Sequence, residues 1–166
     1  MSNELLESQE VFKKIFEVSP EAMLLIDTKG NIIRVNDRVT DWLGYKKEEV
    51  EGKNMANIPF LTIASKAKVL KKFAQRMLGK KVLPYDLIFT DKKGNEFIGL
   101  ISAVPVCDSQ GKVIFDFAII ANVTEQRKIE GNKFNHNEEL MRMNKLMIGR
   151  ELKMMELKKE IVKLKK

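Results

Sequence analysis

Three short turn segments separate apolar runs of the chain, and they restrict its fold more than any other sequence feature. Because turns this short join strands that are neighbours in sequence, each predicts an antiparallel strand pair. The turns are Asp27-Thr28-Lys29-Gly30-Asn31, Asp91-Lys92-Lys93-Gly94-Asn95 and Asp108-Ser109-Gln110-Gly111. The runs they join are 22–26 with 32–35, and then 82–90, 97–106 and 112–123. The sequence therefore predicts one early hairpin and a later three-stranded meander.

Helical patterns precede the hairpin and fill the stretch between the hairpin and the meander. An amphipathic helix is predicted over 4–18, a short helix after Asn36, and a longer one over 62–78. We expect the Asn36 side chain to cap the short helix, and Thr62 or Ser65 to cap the longer one. The order ββ, helices, βββ predicts an α+β fold with a five-stranded antiparallel sheet and helices on one face. The space between these two layers is a natural ligand pocket.

Several short motifs follow one another in a recognisable order. The hairpin leads to Val35-Asn36, Leu43-Gly44-Tyr45 follows, and Glu49-Val50-Glu51-Gly52-Lys53-Asn54 comes next. The second half adds the two later turns and a closing Asn122-Val123-Thr124-Glu125. In this order and spacing, residues 10–126 resemble a PAS domain.

The resemblance implies a PAS fold, a sensory role and a place in signal transduction, as in two-component sensor histidine kinases. One residue departs from the family pattern, because Asn122 stands where an Asp commonly ties the last strand to the outgoing helix. An amide can hydrogen-bond but cannot form a salt bridge, so we expect a differently wired junction at Asn122, Val123 and Thr124.

The tail over 125–166 carries apolar residues at alternating spacings of three and four, the a/d pattern of a coiled coil. Its segment MNKLMIGRELKMMELKKEI also resembles the signalling helix between PAS and kinase domains. The predicted seam, which one arginine interrupts, is Leu140, Met143, Met147, Arg150, Met154, Leu157, Ile161 and Leu164. The alternative is a long helix packed on its own domain. Arg150 is costly in a seam unless paired, and we interpret it as a register switch.

Most of the excess positive charge lies in this tail, which has 12 Lys/Arg and 7 Asp/Glu over 125–166. Acidic residues are interleaved with the basic ones, so a solvated helix face is favoured and nucleic-acid binding is not expected. The chain has no apolar run of membrane-spanning length and no signal peptide, and it is therefore predicted to be cytoplasmic.

Residues with catalytic or metal-binding chemistry are few. His136, the one histidine, lacks the neighbouring proline of a phosphoacceptor segment, and Cys107, the one cysteine, lies beside a turn. A zinc site, a His-dependent triad or a nucleotide-binding loop is not expected, so we predict no metal and no catalytic residues. The chain is predicted not to be an enzyme, although it fits a fragment or partner of a histidine kinase.

The resemblance also guides the cofactor prediction. Haem-binding members commonly supply a histidine from the middle helix, and 62–78 contains none. Flavin photosensors carry a cysteine just before that helix, where this chain has Asn57-Ile58-Pro59-Phe60-Leu61-Thr62. Haem and covalent flavin are therefore not expected, although ligation of haem through Met or Tyr stays open. The remaining possibilities are a small apolar ligand bound noncovalently and no ligand at all. We expect no arginine near the pocket to pair with an acidic ligand.

Candidate pocket residues come from the sheet and the middle helices, and most also suit a plain core. They are Val35, Asn36, Val39, Trp42, Met55, Phe60, Val69, Phe73, Phe89, Phe97, Ser102, Phe117 and Ile119.

The predicted organisation is a flanking helix over 1–19, a PAS sensor domain over 20–124 and a signalling helix over 125–166. The predicted function is a sensory, signal-relay and dimerisation module. It forms a homodimer through the C-terminal helix, with the N-terminal helix as a further contact, and acts on a downstream kinase or output domain. The alternatives are a ligand-free structural dimerisation module and a regulator that binds nucleic acid through its basic tail.

Overall fold

The structure, a computed structural model, describes residues 2–164 of the 166-residue chain, and the side chains of residues 6–160. The chain divides into two compact units, Met1–Thr124 and Glu125–Lys166. The first unit contains α1 Ser2–Val18, β1 Ala22–Asp27, β2 Ile32–Val35, α2 Asp37–Leu43, α3 Lys47–Val50, α4 Ile63–Met77, β3 Tyr85–Thr90, β4 Glu96–Cys107 and β5 Val113–Asn122. The helix α5, Thr124–Leu164, begins at the last residue of the first unit, and the rest of the helix lies in the second unit.

The five strands form one antiparallel sheet in the order β2-β1-β5-β4-β3. The early hairpin and the later meander are confirmed, and β5 lies at the centre, between β1 and β4. β3 is shorter than predicted and begins at Tyr85, directly after Pro84. Proline has no backbone N–H to give to a strand ladder, which accounts for this start.

The three predicted turns share one geometry. In the first, Asp27 Oδ1 accepts a hydrogen bond of 2.8 Å from the Asn31 N–H, and the Gly30 N–H donates to the Asp27 carbonyl at 3.0 Å. Gly30 has a φ of +86°, which a side chain would strain. The turns that begin at Asp91 and Asp108 repeat these bonds.

The helix ends agree with the predictions except at Asn36. Thr62 caps α4, since its Oγ1 accepts from the Ser65 N–H at 3.2 Å. Asn36 has the backbone position of the α2 cap, but its side chain makes no capping bond. The fully buried amide instead donates to the carbonyls of Phe16 and Glu21, each at 2.9 Å, and accepts from the Met23 N–H at 3.0 Å. The expected side-chain cap is therefore wrong, and Asn36 fastens the end of α1 to β1.

The core lies between the inner face of the sheet and helices α2 to α4. It contains alternate residues of the strands, such as Leu24 and Ile26 of β1 and Leu87 and Phe89 of β3. α1 buries Phe16, at 2% exposure, but leaves Phe12 and Ile15 more than half exposed. The outer side of α1 is therefore an apolar surface.

The helix α5 has 41 residues and is about 60 Å long at 1.5 Å per residue. Its predicted seam residues are exposed wherever their side chains are described, and the apolar ones range from 45% at Leu140 to 59% at Met143 and Met154. The side chains of Ile161 and Leu164 lie outside the described residues. So many exposed apolar side chains are typical of a helix that binds another surface.

Candidate functional site

An internal cavity of about 40 Å³ lies between the sheet and the middle helices of the first unit. Its walls are apolar apart from Arg76 of α4 and Tyr85 of β3. The apolar lining residues are Leu24, Ile26, Ile32, Met55, Ile58, Phe60, Leu61, Val69, Leu87, Phe89, Ile101, Ala118 and Ile120. Pockets for drug-sized molecules are larger, about 300–1,000 Å³. The cavity therefore suits a very small molecule unless its walls move.

Arg76 forms a buried ion pair with Asp116 of β5. The Arg76 Nε lies 2.9 Å from Asp116 Oδ1, and the Arg76 Nη2 lies 2.6 Å from Asp116 Oδ2. The two residues are 2% and 0% exposed. Burial acts to lower the pKa of Arg76, but hydrogen bonds and the charge of Asp116 outweigh it and raise that pKa above its usual value. The pair therefore holds α4 to the central strand.

Two polar atoms beside this pair are buried without a hydrogen-bond partner among the described residues, Arg76 Nη1 and the Tyr85 hydroxyl. The Tyr85 hydroxyl lies beside the guanidinium, but not in hydrogen-bonding geometry. Burial raises the pKa of Tyr85, and Arg76 only partly offsets that effect. Buried donors without partners are rare in native proteins, so this end of the cavity is a candidate recognition point.

A row of aromatic rings lines a second cavity of about 10 Å³, which shares several wall residues with the first. Phe89 stacks on Phe97 at a centroid distance of 5.3 Å and on Phe60 at 6.4 Å. Trp42 meets Phe97 edge to face at 6.0 Å. Since Phe60 and Phe89 line both cavities, a movement of these rings would change both volumes.

The predicted pocket residues fall into three groups. Met55, Phe60, Val69 and Phe89 line the larger cavity, and Val39, Trp42, Phe60, Phe89 and Phe97 line the smaller one. Buried residues that line neither of these cavities are Val35, Asn36 and Phe73. Residues on the opposite face of the sheet are Ser102, Phe117 and Ile119.

The third group follows from the alternation of side chains along β5. Because successive residues of a strand point to opposite faces, only one of two sets can face the helices. The buried inward set is Asp116, Ala118 and Ile120, whereas Phe117 and Ile119 are half-buried on the outer face. The prediction that Phe117 and Ile119 line the pocket is therefore wrong.

Sequence reasoning missed Arg76, Tyr85 and Asp116, and the expected lack of a nearby arginine is wrong. Arg76 lies among lysines of an amphipathic helix, where an arginine normally faces solvent. Asp116 was the one available signal, since a lone carboxylate amid the apolar residues of a central strand needs a buried partner.

The junction between β5 and α5 is fastened by side-chain hydrogen bonds. Asn122 Oδ1 accepts from the Thr124 hydroxyl at 2.7 Å and from the Thr124 N–H at 3.2 Å. The Thr124 hydroxyl in turn accepts from the Ile98 N–H of β4 at 2.9 Å, and the Val123 N–H donates to the Ile98 carbonyl at 2.9 Å. A neutral amide and a hydroxyl thus make this junction.

The described side chains bring together no group of three His, Cys, Asp or Glu residues that could hold a metal ion. Cys107 is a free, exposed thiol. Over the described residues, no helix is long and apolar enough to span a membrane.

A five-stranded antiparallel sheet with helices over a buried cavity is the architecture of PAS sensory domains. The sequence profile of the PAS domain matches residues 20–125, and the chain belongs to this family. Its fold is similar to a PAS domain from Colwellia psychrerythraea, with a TM-score of 0.63 and 16% identity over 71% of this chain and 98% of that one. The fold is also similar to the PAS domain of an HTR-like protein from Haloarcula marismortui, with a TM-score of 0.59 and 20% identity. That match covers 73% of this chain and 96% of the other.

A curated relative extends the comparison to a whole signalling protein. The chain is 25% identical over 138 residues, 81% of its length, to the sensor histidine kinase TmoS of Ectopseudomonas mendocina. It spans 14% of the length of that relative.

Proposed function

We propose that this chain is a sensory and signal-relay module that dimerises through α5 and acts on a histidine kinase or another output domain. One observation carries the proposal: β5, which contributes Asp116 to the buried ion pair, continues through the Asn122–Thr124 junction into α5 without a linker. A change at the cavity wall therefore has a direct covalent route to the helix. The sensor histidine kinase TmoS, of which the chain matches a part, supports a kinase as the output.

Pairing of α5 is supported by its exposed apolar residues. The predicted seam includes Met147, Met154 and Leu157, and these residues line a shallow groove along α5 together with Arg150, Glu151, Lys153, Met155 and Lys158. A second copy of α5 would bury them and place two Arg150 side chains near each other. A charged residue in such a seam lowers stability but can set register. We propose that the helix pair has two registers of similar free energy and that the junction selects between them.

The test measures distances between two copies of α5 when the junction is altered. A spin label is attached at Lys158→Cys in a Cys107→Ser background, and the label-to-label distance is measured in the dimer by double electron–electron resonance. Thr124→Val removes the hydroxyl that accepts from the Ile98 N–H and donates to Asn122. We expect a shifted or broadened distance distribution, because the first residue of α5 loses its side-chain hydrogen bonds to β4 and β5.

Thr40→Val is the matched control, since Thr40 donates only a local bond of 2.7 Å to the Asp37 carbonyl within α2. It should leave the distribution of the labelled parent unchanged. Identical distributions in the parent and in Thr124→Val would contradict relay through the junction, even if the dimer persists.

The small size of the cavity favours a second candidate, a structural dimerisation module without a ligand. A volume of about 40 Å³ leaves room for only about three or four water molecules at about 10–15 Å³ each. Native mass spectrometry of freshly purified protein separates the two functions. Extra mass on the dimer that leaves on denaturation would favour the sensory module, and a dimer of bare chains would favour the structural one.

A further inference from the structure

The polar end of the larger cavity, formed by Arg76 and Tyr85, offers hydrogen bonds that the described residues do not take up. Both residues line the cavity, are 2% and 9% exposed, and carry one buried polar atom each without a partner in the described structure. Arg76 Nη1 can only donate, whereas the Tyr85 hydroxyl can donate and accept. A bound molecule with an acceptor atom would satisfy both donors.

The charge balance around these atoms restricts the class of molecule. Asp116 already neutralises Arg76 through two short contacts, at 2.9 and 2.6 Å, so the buried pair has no net charge. A ligand carboxylate would add an uncompensated negative charge in an apolar cavity, and a ligand cation would face the guanidinium. Either is costly to bury, whereas a neutral acceptor is not.

We propose that the polar end of the cavity binds a small, uncharged and largely apolar molecule through one acceptor oxygen or nitrogen. The apolar remainder of the ligand contacts Ile26, Leu87 and Ile101, which line the same cavity. This inference rests on the proposed sensory function and names the ligand class for it. Because the cavity is about 40 Å³, binding requires its walls to move. Met55 is suited to this movement, since an unbranched thioether adopts many conformations at low cost.

The experiment uses three probes of similar size on the full chain, with binding followed by amide NMR titration. Acetophenone carries a carbonyl acceptor, α-methylstyrene has a CH₂ group in place of that oxygen, and benzoate carries a negative charge. We expect acetophenone to bind more tightly than the other two. Tyr85→Phe should weaken acetophenone binding by about fivefold to tenfold, which is typical for the loss of one hydrogen bond, and should leave α-methylstyrene binding unchanged.

Two further variants keep the test decisive. Tyr45→Phe removes a hydroxyl elsewhere in the fold and should not change the preference for acetophenone. Arg76→Leu combined with Asp116→Leu removes both charges together and should weaken the preference, because only the Tyr85 hydroxyl is then left to donate; this comparison holds even if Tyr85→Phe folds poorly.

Three outcomes would overturn the proposal. α-Methylstyrene binding as tightly as acetophenone would show that no acceptor is recognised, and tighter binding of benzoate would show that the site takes anions. Binding of none of the probes would show that the site does not take this class of molecule. None of these outcomes affects the proposed relay through α5, which the spin-label distances test without any ligand.

Discussion

At the scale of single residues, Gly99 of β4 shows how closely the aromatic row is packed against the sheet. A Cβ atom at Gly99 would lie 2.6 Å from Cε2 of Phe89 and 2.8 Å from Cγ2 of Ile120. Side chains do not approach a real Cβ this closely, and Phe89 is held on both sides by Phe60 and Phe97. Glycine is therefore required here for space, without any unusual backbone angle.

Gly99→Ala is expected to lower the free energy of unfolding by about 1–3 kcal/mol, the usual cost of overpacking a core. Urea unfolding followed by the fluorescence of Trp42 measures this change in stability, since Trp42 contacts Phe97 of the aromatic row. Gly131→Ala is the control, because its added Cβ meets nothing within 4 Å and lies in α5. An unfolding midpoint for Gly99→Ala equal to the parent value would contradict the packing argument.

Tyr85 is also a residue whose surroundings predict a pH effect. Burial raises its pKa above the usual 10.0. The surrounding charges are Arg76, Asp116, Lys68 and Lys72, and the two lysine ammonium groups lie 5.6 and 5.7 Å from the ring centroid. As the pH rises above 10.0, Tyr85 therefore loses its proton in the unfolded chain before it does so in the folded protein. The free energy of unfolding falls over this range, until the pH passes the pKa of Tyr85 in the folded protein.

We expect Tyr85→Phe to lose less stability than the parent protein as the pH rises through this range. Phenolate absorbance of the folded protein gives the direct measurement. The transition assigned to Tyr85 should occur above the usual pKa and should vanish in Tyr85→Phe but not in Tyr45→Phe. Ionisation of Tyr85 at its usual pKa would mean that the hydroxyl is hydrated rather than buried.

At the scale of secondary-structure elements, the Arg76–Asp116 pair is the polar link between α4 and β5. Asp116→Leu leaves a buried guanidinium without its countercharge, and Arg76→Leu leaves a buried carboxylate. Each single change is expected to cost about 3–5 kcal/mol, whereas replacing both residues with leucine should cost far less. Chemical unfolding of the single and double variants forms a double-mutant cycle. Additive effects would show that the two groups do not interact.

The strand β5 also shows which features of the fold could be predicted from the sequence and which could not. The order of the elements and the hairpin turns follow from local chemistry at residues such as Gly30 and Thr62, so they could be predicted. The pairing of β5 with β1 and β4 determines which of its two faces is buried. Phe117 and Ile119, which are half-buried on the outer face, show the same apolar alternation in the sequence as residues of a core. A pair such as Arg76 and Asp116, forty positions apart, is brought together only by the tertiary fold.

At the scale of the whole molecule, the oligomeric state depends on which stripe of α5 is buried. Met154 and Met155 are neighbours with equal exposure, 59% each, but only Met154 belongs to the predicted seam. Met154→Lys would place a charge in the interface of a dimer, whereas Met155→Lys would place it on the solvent side. If the seam is correct, sedimentation equilibrium should show a dimer for the parent protein and for Met155→Lys. Met154→Lys should associate at least tenfold more weakly, a loss of about 1.4 kcal/mol in the free energy of dimerisation.

The two methionines also separate the alternatives for α5, because a helix side chain one position away points about 100° around the axis. Dissociation by Met155→Lys alone would move the interface to the neighbouring stripe, and dissociation by both variants would indicate a bundle that buries both stripes. A monomeric parent protein would exclude pairing through α5 altogether. The exposed apolar residues of this helix would then have to be covered by its own domain or by a segment of a different protein, since a 41-residue helix with so much apolar surface is not expected to stay bare in water.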